Sequence, residues 1–434
     1  MLKMSVVLWL IAGAACGQTL PNPVSDADYL TVTRAEAELG QLLFYDPILS
    51  GNRNIACATC HHPAHGTADG IALAIGEGGI GLGPARYSDP AHPPDQRIPR
   101  NAPALFNLGA REFTALFHDG RLEVQSGGIR TPLGDDMVAG FSSVLAAQTM
   151  FPVLSRDEMA GSYRDNDVGQ AVRQGLITGP GGAWDLISQR VAAIPAYQDM
   201  FSTVYPDRTE IAFTDISNAI AAFMAYEWRS DTAPFDAMLR GEAALSVDAA
   251  NGMTLFYGEA GCAACHAGPF LTDHLFHAMG VAQIGPGKAA TFETHTRDQG
   301  RFRVTGRDED RFAFRTPSLR NVALTGPYGH AGAEPNLTRF IADHADPVRA
   351  LEGFDKRRVL LPPLAGARDF DLMQDPGEVA AIAASVRFKP VVLNADEIAQ
   401  ITAFLHSLTD PQAVLGRLGI PDQVPSGLPV AGVE

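Results

Sequence analysis

Two five-residue stretches of the sequence contain the side chains best suited to redox or metal chemistry. "CATCH" occupies residues 57–61 and "CAACH" occupies residues 262–266. Cys-x-x-Cys-His is the attachment sequence of c-type haem. The two thiols bond to the haem as thioethers, and the adjacent histidine becomes the proximal iron ligand. The sequence therefore predicts two covalently bound c-type haems, attached through Cys57, Cys60 and His61 and through Cys262, Cys265 and His266.

A zinc site and a thiol redox pair are the alternatives for these cysteines. A structural zinc ion needs four nitrogen or sulfur ligands. His62 and His65 could complete such a set in the first stretch, but no further ligand lies near the second. A redox dithiol requires neither a following histidine nor a second copy. The pattern therefore favours haem, and His62 and His65 are expected in a loop near a haem edge.

Sequence elements that must position the two haems also occur twice, in the same order. Each attachment site follows a Leu-Phe-Tyr triplet, and two further motifs are repeated downstream of it. The pairs are "LFY" at 43–45 and 255–257, "APALFN" at 102–107 with "TPSLRN" at 316–321, and "FHDG" at 117–120 with "YGHAG" at 328–332. Such ordered recurrence indicates two cytochrome c-like domains in tandem.

The secondary structure is predicted to be mainly α, with long loops supplied by 43 glycines and 30 prolines. In "NADEIAQITAFLHSLTD", Asn394 and Glu397 form a capping pattern, and apolar residues then recur at helical spacing. "TDISNAIAAFMAYEW" shows the same spacing. We place the N-terminal domain at 28–180, the C-terminal domain at 181–415 and a tail at 416–434. The "GPGG" stretch at 179–182 is the expected seam.

Composition and the N-terminus limit location and partners. The 434-residue chain carries 49 acidic and 33 basic residues, a net charge of -16, which disfavours nucleic acid and suits a basic or neutral protein partner. A short charged start, an apolar run and small residues predict a signal peptide over 1–17 and export to the periplasm. Cys16 could instead carry a lipid, but Gly13 departs from a lipobox. No other segment is apolar for long enough to span a membrane.

The motifs "RNAPALFN", "HDGR", "APFDAMLRG" and "FRTPSLRNVALTGPYGHAG" stand in an order that resembles the bacterial di-haem cytochrome c peroxidases and their relative MauG. The resemblance covers about residues 39–410. It implies that peroxide reacts at the N-terminal haem, while the C-terminal haem takes electrons or stores an oxidising equivalent. Gln148 and Glu158 match the family's distal pair in "LAAQTMFPVLSRDEM". Glu158 would act as general acid and base, and Gln148 would orient the peroxide.

The resemblance also implies a calcium ion between the domains. The side chain of Asn101 and the carbonyl oxygens of Thr325 and Pro327 match the family's ligand positions, and oxygen ligands completed by water suit calcium. The alternative is that Asn101 only caps a turn.

Two histidines stand where the family has other residues. His344 lies 17 residues after Pro327, at the position of the sixth ligand of the C-terminal haem, which is Met in the peroxidases and Tyr in MauG. We therefore predict that His266 and His344 both ligate that iron; a surface histidine at a helix end is the alternative. His118 replaces the Trp placed between the haems. Because imidazole is much harder to oxidise than indole, an inter-haem relay and simple packing both remain open for His118.

Two further departures concern access to the N-terminal haem. No residue cleanly matches the histidine that blocks this haem in resting peroxidases. His92 lies near that position in a proline-rich loop, but we favour an open site. Residues 122–143 form a glycine-rich insertion that could be a lid, a docking loop or an inert excursion.

The function predicted from these features is that of a periplasmic di-haem c-type peroxidase. It would reduce hydrogen peroxide at the N-terminal haem with electrons relayed through the C-terminal haem from a small redox protein, such as a cytochrome c or a cupredoxin. One alternative is a MauG-like enzyme whose high-valent di-haem state oxidises a residue of a partner protein. Others are a non-catalytic electron-transfer cytochrome and a haem sensor.

Overall fold

The computed structural model describes residues 19–162, 164–288 and 295–432. The predicted signal peptide, with Cys16, lies outside these residues. In the part of the chain that is described, no helix is both long enough and apolar enough to cross a membrane.

Helices dominate the described structure and strands are few and short, as the sequence predicted. The α-helices are α1 (Arg34–Tyr45), α2 (Cys57–Cys60), α3 (Val144–Gln148), α4 (Asp167–Arg173), α5 (Ala183–Ala192), α6 (Pro195–Val204), α7 (Phe213–Glu227), α8 (Pro234–Leu239), α9 (Val247–Tyr257), α10 (Phe302–Thr305), α11 (Leu337–Ala345), α12 (Pro347–Glu352), α13 (Asp371–Gln374), α14 (Pro376–Ala383), α15 (Ala395–His406) and α16 (Pro411–Leu415). The predicted cap of α15 is confirmed, since the Asn394 side chain accepts hydrogen bonds from the backbone N–H groups of Asp396 and Glu397.

The strands form small antiparallel ribbons that lie between the helices. They are β1 (Gly79–Ile80), β2 (Tyr87–Ser88), β3 (Ala115–Leu116), β4 (Leu122–Gln125), β5 (Gly128–Arg130), β6 (Phe276–His277) and β7 (Phe314–Arg315). β1 pairs with β2, β6 with β7, and β3, β4 and β5 form one sheet. The insertion at 122–143 therefore begins as a hairpin that extends the "FHDG" region.

The first hydrophobic core is built around a close crossing of α1 and α7. Thr33 caps α1 through a side-chain hydrogen bond to the N–H of Glu36. At the crossing, a methyl group added to Gly40 would lie 1.8 Å from the carbonyl oxygen of Ala219, so only glycine lets the two backbones approach this closely. Phe44 packs against Phe223, with ring centroids 5.3 Å apart.

The second core repeats this arrangement with α9 and α15. A methyl group on Gly252 would lie 1.9 Å from the carbonyl oxygen of Gln400. Phe256 packs against Phe404 with ring centroids 5.1 Å apart. Gly40 and Gly252 each lie three residues before a Leu-Phe-Tyr triplet, so the repeated sequence element forms the same helix crossing twice.

Helices α5 to α7 follow the predicted seam at 179–182 but pack in the first core. Ile187, Val191 and Phe223 are buried there together with Leu39 of α1. The apolar faces of these helices, rather than the flexible "GPGG" stretch, decide where they pack. The first core therefore extends to Trp228, well beyond residue 180.

The tail also returns to the first core. The carboxylate of Glu227 accepts hydrogen bonds from the backbone N–H groups of Arg417, Leu418 and Gly419, at 2.7–2.9 Å. Val424 and Val430 are buried in the same core. Residues 416–430 thus pack against the N-terminal half of the molecule.

The helix crossing in the second core gives a first prediction. Ala normally favours a helix over Gly by about 1 kcal/mol, but at position 252 its methyl group would force α9 away from α15. We expect Gly252→Ala to lower the free energy of unfolding by about 1–3 kcal/mol, measured by chemical denaturation. Gly377→Ala in α14 is the control, because its methyl group would meet only a side-chain oxygen of Asp375 at 3.2 Å. Equal stability of the two variants would contradict the close crossing.

Candidate functional site

The first Cys-x-x-Cys-His stretch is folded so that its histidine can bind a metal through one defined nitrogen. Cys57 and Cys60 occupy the single turn of α2, which places both thiols on one face. The Nδ1 of His61 lies 3.0 Å from the carbonyl oxygen of Thr67. A carbonyl can only accept, so Nδ1 carries the proton and Nε2 keeps its lone pair. Burial lowers the pKa of His61, which keeps the ring neutral.

The second stretch has the same geometry. The Nδ1 of His266 lies 3.1 Å from the carbonyl oxygen of Leu271, which again leaves Nε2 free. Burial lowers the pKa of His266 as well. A carbonyl acceptor that orients a ligating imidazole is the usual arrangement at metal centres. Both histidines therefore fit the role of a proximal haem ligand.

The environment of the thiols agrees with haem attachment and not with the alternatives. Burial raises the pKa of both Cys57 and Cys60 to about 12, whereas a redox dithiol needs a lowered pKa. His62 uses its Nδ1 to accept a hydrogen bond from Ala64, and within the described residues neither it nor His65 forms a metal-binding cluster with the cysteines. The zinc alternative is therefore not supported.

A cluster of potential ligands does surround the second attachment site. One ligand atom from each of Cys265, Asp273 and His277 lies within 4.8 Å of the others. His277 and Asp273 are 2.8 Å apart at Nε2 and Oδ2. With Cys265 bonded to haem as a thioether, its sulfur would no longer be available as a thiolate ligand, and the cluster would then border the haem instead of holding a separate metal ion.

Gln148 and Glu158 lie on two helical turns separated by a 3₁₀ turn, Pro152–Leu154. Gln148 ends α3, and its side-chain oxygen is buried without a hydrogen-bond partner in the described structure. Glu158 lies in a π-helical turn, Arg156–Ala160, a conformation that is frequent at functional sites. Glu158 also contributes to raising the pKa of the Cys60 thiol, which places it near the first attachment site.

Burial raises the pKa of Glu158, and the charges of Lys288 and Arg121 partly oppose this shift. A carboxyl group with a raised pKa can exchange a proton nearer to neutral pH than an ordinary glutamate can. Lys288 comes from the second half of the chain, so the two halves together determine the acidity of this group.

The backbone around Glu158 is held by two glycine segments that the sequence analysis did not identify. Gly51 donates its N–H to the carbonyl oxygen of Met159 at 2.8 Å. The backbone N–H of Glu77 donates to the carbonyl oxygen of Asp157 at 3.0 Å. A methyl group on Gly76 would lie 2.1 Å from the carbonyl oxygen of Asp157. Glycine at position 76 therefore permits the close approach that fixes the turn bearing Glu158.

His344 lies in α11, close to His266. Burial and, to a smaller extent, the nearby His266 lower the pKa of His344 to about 4. The Nδ1 of His344 lies 3.2 Å from the carbonyl oxygen of Phe340, which leaves its Nε2 free. The ring borders a pocket that Tyr328 and Phe340 also line. The structure thus brings together the two imidazoles predicted to ligate the second haem.

His118 lies between the two halves of the molecule. Burial, with smaller contributions from Arg100, His330 and Arg315, lowers its pKa to about 3, so the ring is neutral at physiological pH. Its carbonyl oxygen accepts a hydrogen bond of 2.7 Å from the N–H of Arg315. His92, in contrast, is exposed in a surface loop.

Asn101 also joins the two halves. Its side-chain nitrogen donates to the carbonyl oxygens of Ile71 and Ala72, at 2.8 and 3.1 Å, and its backbone N–H donates to the carbonyl of His330 at 2.9 Å. Both side-chain hydrogen bonds use the amide nitrogen, so the side-chain oxygen of Asn101 is the atom left to ligate a cation. Thr325 and Pro327 lie in the turn that precedes Tyr328.

Three comparisons relate the chain to known proteins. The family model for di-haem cytochrome c peroxidase matches residues 34–244. Methylamine utilization protein MauG of Methylorubrum extorquens is 28% identical over 399 residues, which cover 92% of this chain and 84% of that protein. Cytochrome c551 peroxidase of Pseudomonas aeruginosa is 28% identical over 321 residues, 74% of each chain.

Among solved structures, a MauG-like protein associated with microbial copper homeostasis is similar at a TM-score of 0.58 and 26% identity, covering 94% of this chain and 97% of that one. These matches agree with the duplicated attachment motifs and the paired histidine geometry. The chain belongs to the di-haem cytochrome c peroxidase/MauG family of oxidoreductases, which implies two c-type haems.

Proposed function

We propose that this chain reduces hydrogen peroxide at the haem held by Cys57, Cys60 and His61. The observation that carries the proposal is the buried Glu158 near that attachment site, with Gln148 close by in the chain and its side-chain oxygen unpartnered. A buried carboxyl group and a hydrogen-bond acceptor on one side of a haem are the groups that peroxide cleavage requires.

The protein groups have separate tasks in this reaction, in which hydrogen peroxide, two protons and two electrons yield two water molecules. When bound, the haem supplies the iron that activates peroxide and the route for electrons. Glu158 would accept a proton from hydrogen peroxide and return it to the oxygen that departs as water. Gln148 accepts a hydrogen bond from the peroxide through its unpartnered oxygen, which orients the molecule. Lys288 and Arg121 favour the carboxylate form that begins the cycle.

We further propose that His266 and His344 would hold the iron of the second haem, which would supply the route for electrons to the first. An imidazole in place of the methionine of other family members lowers the reduction potential of a haem. Electrons would come from a small redox protein, a cytochrome c or a cupredoxin, and the net charge of -16 favours a basic or neutral one.

Oxidation of a residue on a partner protein is the second candidate function. It is favoured by the MauG relative, whose match covers 92% of this chain, and by His344, which would lower the potential of the second haem and so make it a poorer electron store that is more readily oxidised. His118 argues against electron hopping through the position of the family's Trp, because a neutral imidazole is a poor relay between the haems.

The proposed function also includes the location of the protein, a bound calcium ion and a revised domain boundary. Export to the periplasm rests on the N-terminal leader. A calcium ion bound by Asn101, Thr325 and Pro327 is supported by the committed amide nitrogen of Asn101, which leaves an oxygen to donate. We propose that the boundary between two tandem cytochrome c-like domains lies after Trp228, because helices α5 to α7 pack in the first core.

The role of Glu158 gives the central prediction. We expect Glu158→Gln to slow the reaction of the diferric protein with stoichiometric peroxide by about 10²–10⁴-fold, since the amide can neither accept nor return the proton. Stopped-flow absorbance measures this rate. Asp157→Asn is the matched control: its carboxylate is the adjacent one but accepts a hydrogen bond from Gln96 at 2.7 Å, outside the proposed chemistry.

The pH profile of the same reaction tests Glu158 independently. Burial raises its pKa, so the carboxylate is lost at a higher pH than for an exposed glutamate. The wild-type rate should fall as the pH is lowered through this raised pKa, and the limb should be absent in Glu158→Gln. A variant that reacts at the wild-type rate would overturn the assignment. A wild-type protein that is inert to peroxide would favour an electron-transfer cytochrome.

The second haem gives a separate prediction. His344→Met should replace the spectrum of a haem with two imidazole ligands by that of a histidine–methionine haem, and should raise its reduction potential. Electron paramagnetic resonance and near-infrared spectroscopy of the diferric protein detect the change. His406→Gln, on the exposed side of α15, is the control and should leave the spectrum unaltered. Wild-type protein without a bis-imidazole signal would refute the ligation.

A further inference from the structure

Several arginines lie at the contact between the two halves and have carboxylate partners there. Arg100 pairs with Asp119 and Asp298. Arg121 pairs with Asp119 at 3.1 Å. Arg301 pairs with Glu123 at 3.0 Å. Each of these guanidinium groups therefore has a carboxylate counter-ion that belongs to the protein itself.

Arg315 lies at the same contact but has no carboxylate partner among the described residues. It lies on β7, where its backbone N–H donates to His118. The guanidinium reaches only two carbonyl oxygens, those of Phe117 at 3.4 Å and Thr316 at 3.3 Å, both at the limit for a hydrogen bond. Burial lowers its pKa to about 10, with no nearby carboxylate to oppose the shift.

Arg315 is partly buried. A cation withdrawn from water without a counter-ion is costly, so such a group is normally paired with a negative charge. The surroundings of Arg315 indicate where that charge comes from. Thr316 and Pro317 follow it, and Pro317 lies beside the ring of His266. Phe276 and His277 form the partner strand, and His277 lies against Cys265 of the second attachment site. On the other side, the segment 117–118 belongs to the first half.

We propose that the guanidinium of Arg315 binds a haem propionate at the contact between the two halves. A propionate is a carboxylate, it can accept two parallel hydrogen bonds from a guanidinium, and it is part of the haem itself. The assignment rests on the presence of two haems, and it concerns a residue that the peroxide chemistry at Glu158 does not use.

The bond would have a measurable electrical consequence. A positive charge beside a propionate favours the reduced state of the iron, because the reduced haem carries one positive charge fewer. His118 cannot take over this role, since its ring is neutral and its carbonyl is already bonded to the backbone of Arg315. Arg315 therefore raises the reduction potential of the haem it contacts.

The test uses the holoprotein and two readouts that do not depend on turnover. In Arg315→Gln we expect the propionate bending band of one haem to shift in the resonance Raman spectrum and the midpoint potential of that haem to fall in a spectroelectrochemical titration. Excitation selective for each haem identifies which propionate is bound. Arg315→Lys retains the charge and should restore most of the potential.

Arg301→Gln is the matched control, because Arg301 lies at the same contact but is paired with Glu123. Arg301→Gln should leave the propionate bands of both haems at their wild-type positions. Unchanged propionate bands and midpoint potentials in Arg315→Gln would overturn the proposal. A wild-type midpoint potential that depends on the chloride concentration would also overturn it, because the guanidinium would then bind a dissolved anion and not a propionate. Haem content is measured first: a wild-type protein with fewer than two haems refutes the two-haem assignment instead. If Arg315→Gln does not retain both haems, the propionate bending band of Arg315→Lys is measured instead. A band shifted from its wild-type position supports the proposal, and an unshifted band contradicts it.

Discussion

The buried ion pairs of Arg100 are the interaction on which the relation between the two halves depends. Its guanidinium lies 2.8 Å from Asp119 in the first half and 2.6 Å from Asp298 in the second. Burial alone would raise the pKa of Asp119, but Arg100 and Arg121 outweigh it and hold the pKa at about 2. Both carboxylates therefore stay charged. Loss of one partner from such a buried group typically costs about 3–5 kcal/mol.

Other contacts between the halves are fixed once Arg100 is in place. Asn101 is the next residue, and its N–H bonds to the carbonyl of His330. His118 directly precedes Asp119, and its carbonyl bonds to the N–H of Arg315. The same interaction thus orients the proposed calcium ligand and the residue at the family's inter-haem position. These neighbouring bonds, together with the ion pairs Arg97–Asp369 and Arg301–Glu123, join the two halves that carry the attachment sites.

The sequence predicted best those features that are encoded locally. The cap of α15 and the apolar stripes of α7 and α15 could be recognised from their spacing. The ribbons were missed because strands of two to four residues give no alternating pattern. The "GPGG" stretch indicated a turn correctly. It did not mark the end of the first core, because the apolar faces of the following helices decide their packing and local flexibility does not.

Features that depend on distant contacts had no sequence signal. Arg100 and Asp298 are 198 positions apart, and neither stands in a pattern that predicts an ion pair. Gly76 resembles any loop glycine until its distance to Asp157 is known. Gln148 and Glu158 were found only because the chain resembles a family with the same spacing, and the structure contributes their burial. Arg315 was part of a quoted motif, but its missing counter-ion can be seen only in three dimensions.

The acidity of Glu158 shows how the duplicated fold serves a single reaction. In the first half alone, burial and Arg121 would act on this carboxyl group in opposite directions. Lys288 adds a second positive charge from the other half, and it carries a lowered pKa because it is itself buried near Arg121 and Arg100. A cation in that position is stabilised chiefly when Glu158 or Asp119 is ionised. The proton affinity of the proposed base is therefore coupled to the packing of the two halves, which gives a physical reason for a peroxide site to require both.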